Sequence, residues 1–218
     1  MFNLLDLLFP RSNARYSSIS TYLTSEEISS LFSKLKPLTK NQSPYLEAIF
    51  VASPYEHYVI QDLLARLKQQ GEYAISQSLG ELIHQKIFTD ADFFIPDPEC
   101  IVPVPPDPVR LYKRGFSSQD LMARYLSKKI PNSLYLNLLR KSRSTPPQSE
   151  LSKKQRLSNL KNTFILDSQA AYVGLSKAEI LWLVDDITTT GTTLTECAST
   201  LKKHYPFLKI YGVAAAGN

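Results

Sequence analysis

Apolar positions recur along the chain in two periods, and segments of one period follow segments of the other. Thr24-Ser25-Glu26-Glu27-Ile28, then Leu31-Phe32 and Leu35, predicts a short capped helix that Pro37 ends. Tyr45 to Val51 is a run suited to a strand. Val59-Ile60, Leu63-Leu64 and Leu67 return at helical spacing up to Gly71, and Ile75, Leu79, Leu82-Ile83 and Ile87 do so again. Ile101-Val102-Pro103-Val104-Pro105-Pro106 predicts a short strand entering a stiff loop. Leu121, Met122, Tyr125 and Leu126 mark a helix, and Leu134 to Leu139 a strand. Residues 140–162 hold Ser, Thr, Pro and many cations with little apolar periodicity, which predicts a long loop. Ile180 to Val184 is apolar throughout, the pattern of a strand buried on both faces. A helix over Leu194 to Lys203 and a strand over Lys209 to Ala215 follow. Strands alternating with helices imply parallel pairing and an α/β domain.

Composition adds limits. The chain has 218 residues, 43% hydrophobic, enough for a real core in one domain or in one domain with a small attachment. No stretch reaches the roughly 18–20 apolar residues of a membrane helix. The opening Met1-Phe2-Asn3-Leu4-Leu5-Asp6 is short, acidic at Asp6 and without a basic leader, a poor signal peptide. Cys100 and Cys197 stand alone, which argues against a disulfide framework or a cysteine zinc site and makes a reducing cytoplasm the expected compartment. His57, His84 and His204 show no ligand spacing. The seven glycines form no Gly-x-Gly-x-x-Gly, and Asn218 stands where a Walker lysine would follow Gly212 and Gly217. The net charge of +5 is concentrated: residues 110–161 carry 13 Lys and Arg against Asp120 and Glu150. Such a block is either a solvated face or an anion-binding surface.

The most informative stretch is Ile180 to Thr193. A buried strand ends in Asp185-Asp186, then comes a hydroxyl-rich turn with Gly191, then a helix. In open α/β sheets ligands bind at the carboxyl ends of strands. The turn can offer backbone N–H groups and hydroxyls to a phosphate, and the next helix adds its positive end. Two carboxylates suit sugar hydroxyls or a metal ion. The plainer account is a Thr-rich helix cap beside an exposed acidic pair. A response-regulator site also uses strand-end acids, but after the first strand.

This stretch resembles the phosphoribosyl pyrophosphate (PRPP) signature of type I phosphoribosyltransferases. The resemblance implies that Asp185 and Asp186 contact the ribose hydroxyls and that Thr189, Thr190, Gly191, Thr192 and Thr193 cradle the ribose phosphate. Val102-Pro103-Val104-Pro105-Pro106, then Arg110-Leu111-Tyr112-Lys113-Arg114-Gly115-Phe116 and Leu121, look like the ComF competence family. So do Leu139-Arg140-Lys141, Thr145-Pro146-Pro147-Gln148-Ser149, Leu151-Ser152, Arg156-Leu157, Asn159 and Phe164, the helix from Leu63 to Gly71, and the opening Leu4 to Pro10. The likeness covers nearly the whole chain. Two departures stand out. Arg11 to Tyr22 holds no cysteine where many relatives carry a zinc module, so no zinc is expected. Ser117-Ser118 follow the Arg-Gly-Phe where the family usually has Asn-Gln.

The implied fold is α/β, of the type I phosphoribosyltransferase kind: a central, mostly parallel sheet flanked by helices, with a small N-terminal hood. Residues 1–43 would form a helical or irregular segment and 44–218 the main domain, with 44–95 contributing the hood and 140–162 a mobile basic loop. Tyr45, Phe50, Tyr55 and Tyr58 are candidate stackers in that hood. In this family of reactions a nucleophile displaces pyrophosphate from PRPP, and cations with Mg²⁺ stabilise the leaving group. Val104 and Pro105 would lie in the pyrophosphate loop with Arg110, Lys113, Arg114 and Gly115, and Arg140, Lys141 and Arg143 would come from the mobile loop. Asp185, Asp186, Arg114 and Lys113 are the catalytic candidates. The resemblance implies a cytoplasmic role in DNA uptake during natural transformation, with single-stranded DNA, an uptake helicase or other competence proteins as partners. The alternative is an active phosphoribosyltransferase acting on a nucleobase or amine.

Overall fold

A computed structural model describes residues 43–89, 95–144, 162–167, 175 and 178–218. The predicted helix over residues 24–35 and the stretch Arg11 to Tyr22 lie outside them. Five strands among the described residues form one sheet: β1 (Ala48–Val51), β2 (Cys100–Pro103), β3 (Leu134–Tyr135), β6 (Ile180–Thr188) and β7 (Lys209–Gly217). Their order is β1-β7-β6-β2-β3, and every pairing is parallel. A separate antiparallel pair joins β4 (Leu139–Lys141) to β5 (Phe164–Leu166). The helices are α1 (Tyr58–Ala65), continued by a π-helical turn at Arg66–Gln70; α2 (Ala74–Ile83), continued likewise at His84–Thr89; α3 (Pro108–Arg114); α4 (Ser118–Lys129); and α5 (Thr192–Lys202). This is the α/β arrangement expected of the type I phosphoribosyltransferase fold. No helix among the described residues is long and apolar enough to cross a membrane.

The core divides by the two-residue period of β6. Trp182 and Val184 face α1, α2 and α4, packing with Ile60, Leu79, Met122 and Leu126. Leu181 and Leu183 face the other way, toward Leu194, Cys197, Ala198 and Leu201 of α5 and Phe164 of β5. Trp182 is fully buried, with ring centroids 5.4 Å from Phe50, 5.2 Å from Tyr211 and 4.9 Å from Phe88. Phe50 is therefore core rather than a stacker, whereas Tyr58 is 65% exposed against His57. Residues 44–95 supply the edge strand β1 and the helices α1 and α2 packed on this face.

Three boundaries differ from the sequence pattern. The run from Leu134 to Leu139 is not one strand. Its first two residues pair with Cys100 and Ile101, and the chain then leaves the sheet for the β4–β5 pair. The strand bearing the acidic pair does not end there but continues to Thr188, because β7 pairs with it out to Gly217. The cations after Val102 lie on helix α3 rather than in a loop. Asp107 caps α3 by accepting from the N–H groups of Val109 and Arg110, Pro108 fills its first turn, and Gly115 ends it at φ 77°. Pro103 is tolerated in β2 for a local reason. Val104 donates to Val184 of β6 and Leu136 donates to the carbonyl of Ile101, so the nitrogen of Pro103 faces the side where β3 has already ended.

Candidate functional site

A cleft of about 320 Å³ opens beside the C-terminal part of β6. Lys68, Arg110, Arg114, Ser118, Gln119 and Asp186 are among its lining residues, with Pro106, Asp107, Leu111, Phe116 and Ser117 completing the wall. It unites the basic helix with the acidic strand.

The connection runs through α4. Ser117 caps this helix by accepting from the Asp120 N–H, which sets Ser118 and Gln119 in its first turn. Ser118 donates to Oδ2 of Asp186 at 3.1 Å, and the Gln119 amide donates to Oδ1 of Asp185 at 3.3 Å. In place of the family's usual amide pair, a hydroxyl and an amide one position later reach the two acids. Both contacts also bring the positive end of α4 toward the carboxylates.

The two acids are not equivalent. Adjacent residues of a strand point to opposite faces, and only Asp186 lines the cleft. Asp185 is buried beneath, where its Oδ1 also accepts from the backbone N–H of Asp186 at 2.8 Å. Burial, then the Asp186 charge, push the Asp185 carboxyl up to about 8, against the pull of the Asp186 N–H and Gln119. The pair is thus one cleft-lining carboxylate supported by a second acid behind it. An exposed acidic pair at a cap does not describe it, since Asp185 is 5% and Asp186 7% exposed.

The threonine turn follows directly. Thr189 and Thr190 are exposed, Thr193 is half-buried, and the hydroxyls of Thr190 and Thr192 lie 2.8 Å apart. Gly191 occupies the N-cap of α5 at φ 72°, with no side chain capping the helix. A Cβ there would stand 2.6 Å from Cδ1 of Ile49, the movable end of that side chain, so it is the positive φ that calls for glycine. The first-turn N–H groups of α5 and the threonine hydroxyls are donors of the kind a phosphate takes.

The cations separate. Arg110 and Arg114, one turn apart on α3, line the cleft, whereas Lys113 is exposed outside it. Val104 and Pro105 are buried, carrying the chain from β2 to α3. Arg140 and Arg143 are exposed near the β4–β5 pair. Lys141 is no free cation of a loop. Its side chain is 8% exposed and pairs with Asp107 at 3.4 Å, and Ser144 donates to the same carboxylate at 2.9 Å. Burial lowers the Lys141 pKa despite that partner. Residues 145–161 of the predicted loop lie outside the described residues.

Three participants escaped the sequence reading: Lys68, Asp107 and Gln119. Asp107-Pro108 is a legible helix start, and Gly71 places Lys68 in the last turn of its helical segment, but neither signal says what those side chains meet. Cys100 and Cys197 are buried, with the Cys100 thiol pushed up to about 11 and that of Cys197 also raised by burial, so both are poor nucleophiles. Among the described residues no group of three or more His, Cys, Asp or Glu could hold a metal ion.

The chain is 32% identical over 169 residues to Competence protein F of Haemophilus influenzae, covering 73% of this chain and 70% of that protein. It is 31% identical over 143 residues to DNA utilization protein YhgH of Salmonella typhi, covering 65% and 60%. Against YhgH of Escherichia coli K12 the identity is 29% over 150 residues, covering 66% and 62%. No family model matches the chain.

Proposed function

The chain belongs to the ComF competence family, and from that footing we propose that it serves DNA uptake and use through a cleft that binds PRPP with Mg²⁺. The observation that carries the ligand is the meeting of Arg110 and Arg114 with Asp186 in one cleft. Asp186, supported by Asp185, accepts hydrogen bonds from the ribose hydroxyls. The turn Thr189 to Thr193 takes the ribose phosphate on its hydroxyls and on the N-terminus of α5. Arg110 and Arg114 hold the diphosphate, where their charge opposes the negative charge that a departing pyrophosphate develops. Mg²⁺ enters on the ligand, whose phosphate oxygens suit a hard cation. Asp186 is the lining carboxylate that would be available to it, since Asp107 is already engaged by two N–H groups, Lys141 and Ser144.

The test is calorimetry with Mg²⁺-PRPP on the wild type and on Asp185→Asn/Asp186→Asn. Saturable binding that the double variant loses is the expected result. No heat from the wild type sinks the PRPP site. Turnover is the second question, and release of pyrophosphate with a candidate nucleobase or amine answers it.

Direct contact with single-stranded DNA is supported by α3. Tyr112 is 91% exposed beside Lys113, with Val109 and Leu111 also exposed. An exposed aromatic among cations is the arrangement on which bases stack while the backbone is neutralised.

A further inference from the structure

Asp107 stands where a cleft for a polyanion can least accommodate a carboxylate. It lines the same wall as Arg110 and Arg114, the two residues assigned above to the diphosphate. Helix α3 needs an accepting oxygen at this place. Oδ1 of Asp107 supplies it, accepting from the N–H groups of Val109 at 3.1 Å and Arg110 at 3.4 Å. A neutral Asn or Ser caps a helix about as well as Asp. The cap therefore accounts for the oxygen and not for the charge, and in this wall the charge opposes an anionic ligand.

The fold answers that charge from behind the wall. The Lys141 ammonium stands 3.4 Å from Oδ2 of Asp107, outside the residues that line the cleft, with the two side chains 8% and 2% exposed. It arrives on β4, and Ser144 just beyond that strand donates to the same carboxylate, 2.9 Å from either oxygen. Burial lowers the Lys141 pKa, Asp107 raises it and Arg110 lowers it again, so the three charges lie within electrostatic reach of one another. The other lining carboxylate is answered in the same way, by Lys68 at 3.8 Å from Oδ2 of Asp186.

We propose that Lys141 sets the anion affinity of the cleft by acting through Asp107: its charge cancels that of the acid and makes the wall beside Arg110 and Arg114 fit for a diphosphate. Lys141 is thus a positioning residue rather than a ligand contact. The inference rests on the diphosphate reading of the two arginines. It has a consequence that a purely structural ion pair lacks. Breaking the pair from either side lowers stability, but the two sides move anion affinity in opposite directions. An anion seated in a cleft of about 320 Å³ lies within about 10 Å of Asp107. One unit charge at that range changes affinity by about twofold to fifteenfold between the dielectric of water and that of a protein surface.

The experiment titrates inorganic pyrophosphate into the full chain by calorimetry at fixed ionic strength, and measures the urea midpoint of each protein. The variants are Asp107→Asn, Lys141→Met, Lys141→Arg and the double variant Asp107→Asn/Lys141→Met. Asp107→Asn should be less stable than the wild type and yet bind pyrophosphate about fivefold tighter. Lys141→Met should be less stable and bind about fivefold weaker. Lys141→Arg and the double variant, in which the wall is again neutral, should bind within about twofold of the wild type. Should Lys141→Met fail to fold, the double variant against Asp107→Asn isolates the same charge, and should bind about fivefold weaker than Asp107→Asn. Affinity that moves in one direction in both single variants, or in neither, overturns the role of Lys141 and leaves the diphosphate reading standing. Absence of pyrophosphate binding in the wild type and in Asp107→Asn alike overturns the diphosphate reading, and the role of Lys141 with it.

Discussion

Asp185 shows how a single residue carries both stability and function. Its folded-state pKa is raised to about 8 from an ordinary value of 3.8, chiefly by burial. A carboxyl with a raised folded pKa favours the native state most fully below its unfolded value, and that contribution is lost as pH rises through the folded one. The unliganded protein should therefore lose stability between about pH 4 and pH 8. Asp185→Asn should flatten that slope relative to the wild type in thermal melts across the range; parallel profiles would show that Asp185 does not titrate there. Gln119 and Ser118 act on the same pair from outside. Gln119→Leu removes a donor to Asp185 and Ser118→Ala a donor to Asp186. A hydrogen bond to a carboxylate is worth about 1.5–3 kcal/mol and one to a neutral acid about 0.5–1.5 kcal/mol. Ser118→Ala should therefore weaken Mg²⁺-PRPP binding by about tenfold or more near neutral pH, and Gln119→Leu by about tenfold or less, in calorimetry with the far-UV spectrum unchanged.

At the scale of elements, the decisive contact ties α3 to the β4–β5 pair. Asp107 both caps the helix and neutralises Lys141, and the two side chains are 2% and 8% exposed. Losing the cap costs about 1 kcal/mol, and stranding one charge of a buried pair about 3–5 kcal/mol. Asp107→Ala should therefore destabilise the protein by about 4–6 kcal/mol in urea denaturation. Asp107→Asn keeps an accepting oxygen for the cap but still strands Lys141. Adding Lys141→Met to it should restore a large part of the loss; a double variant no more stable than Asp107→Asn alone would show that the ion pair is not the source. The pair also fixes where the predicted basic loop begins, since Ser144 bonds to the same carboxylate.

For the whole molecule, the uneven charge is the governing feature. Among the described residues, the cations of this block fall on α3, α4, the β4 strand and the turn after it rather than along one face of one helix. Arg124 is tied to Asp120, Lys141 to Asp107, and Lys129 pairs with Glu81. On α3, Arg110, Lys113 and Arg114 lie within two turns of one another beside the exposed Tyr112. If single-stranded DNA binds there, affinity for an oligothymidylate should fall steeply with salt. Lys113→Ala should lower the slope of log K against log salt by about 0.7. Tyr112→Ala should weaken binding by about 1–3 kcal/mol without changing that slope. Salt-independent binding would rule out this surface.

The sequence by itself determined the elements and their order. Helical and alternating periods are local properties, so the amphipathic faces of α1 and α2, the buried run of β6 and the parallel α/β class were legible in the apolar positions. Gly191 and the threonines were legible too, because a tight turn before a helix has its own residue chemistry. Only the tertiary structure decided which side chains meet. Ser118 and Gln119 lie 68 and 66 residues from the acids they touch, and no periodicity reaches so far. The unequal roles of Asp185 and Asp186 came from the continuation of β6 along β7, which puts one acid in the core and the other in the cleft. Lys141 and Lys68 look alike as surface cations in the sequence. Packing buried the first against Asp107 and left the second open beside Asp186, because desolvation and ion pairing depend on the neighbours folding supplies.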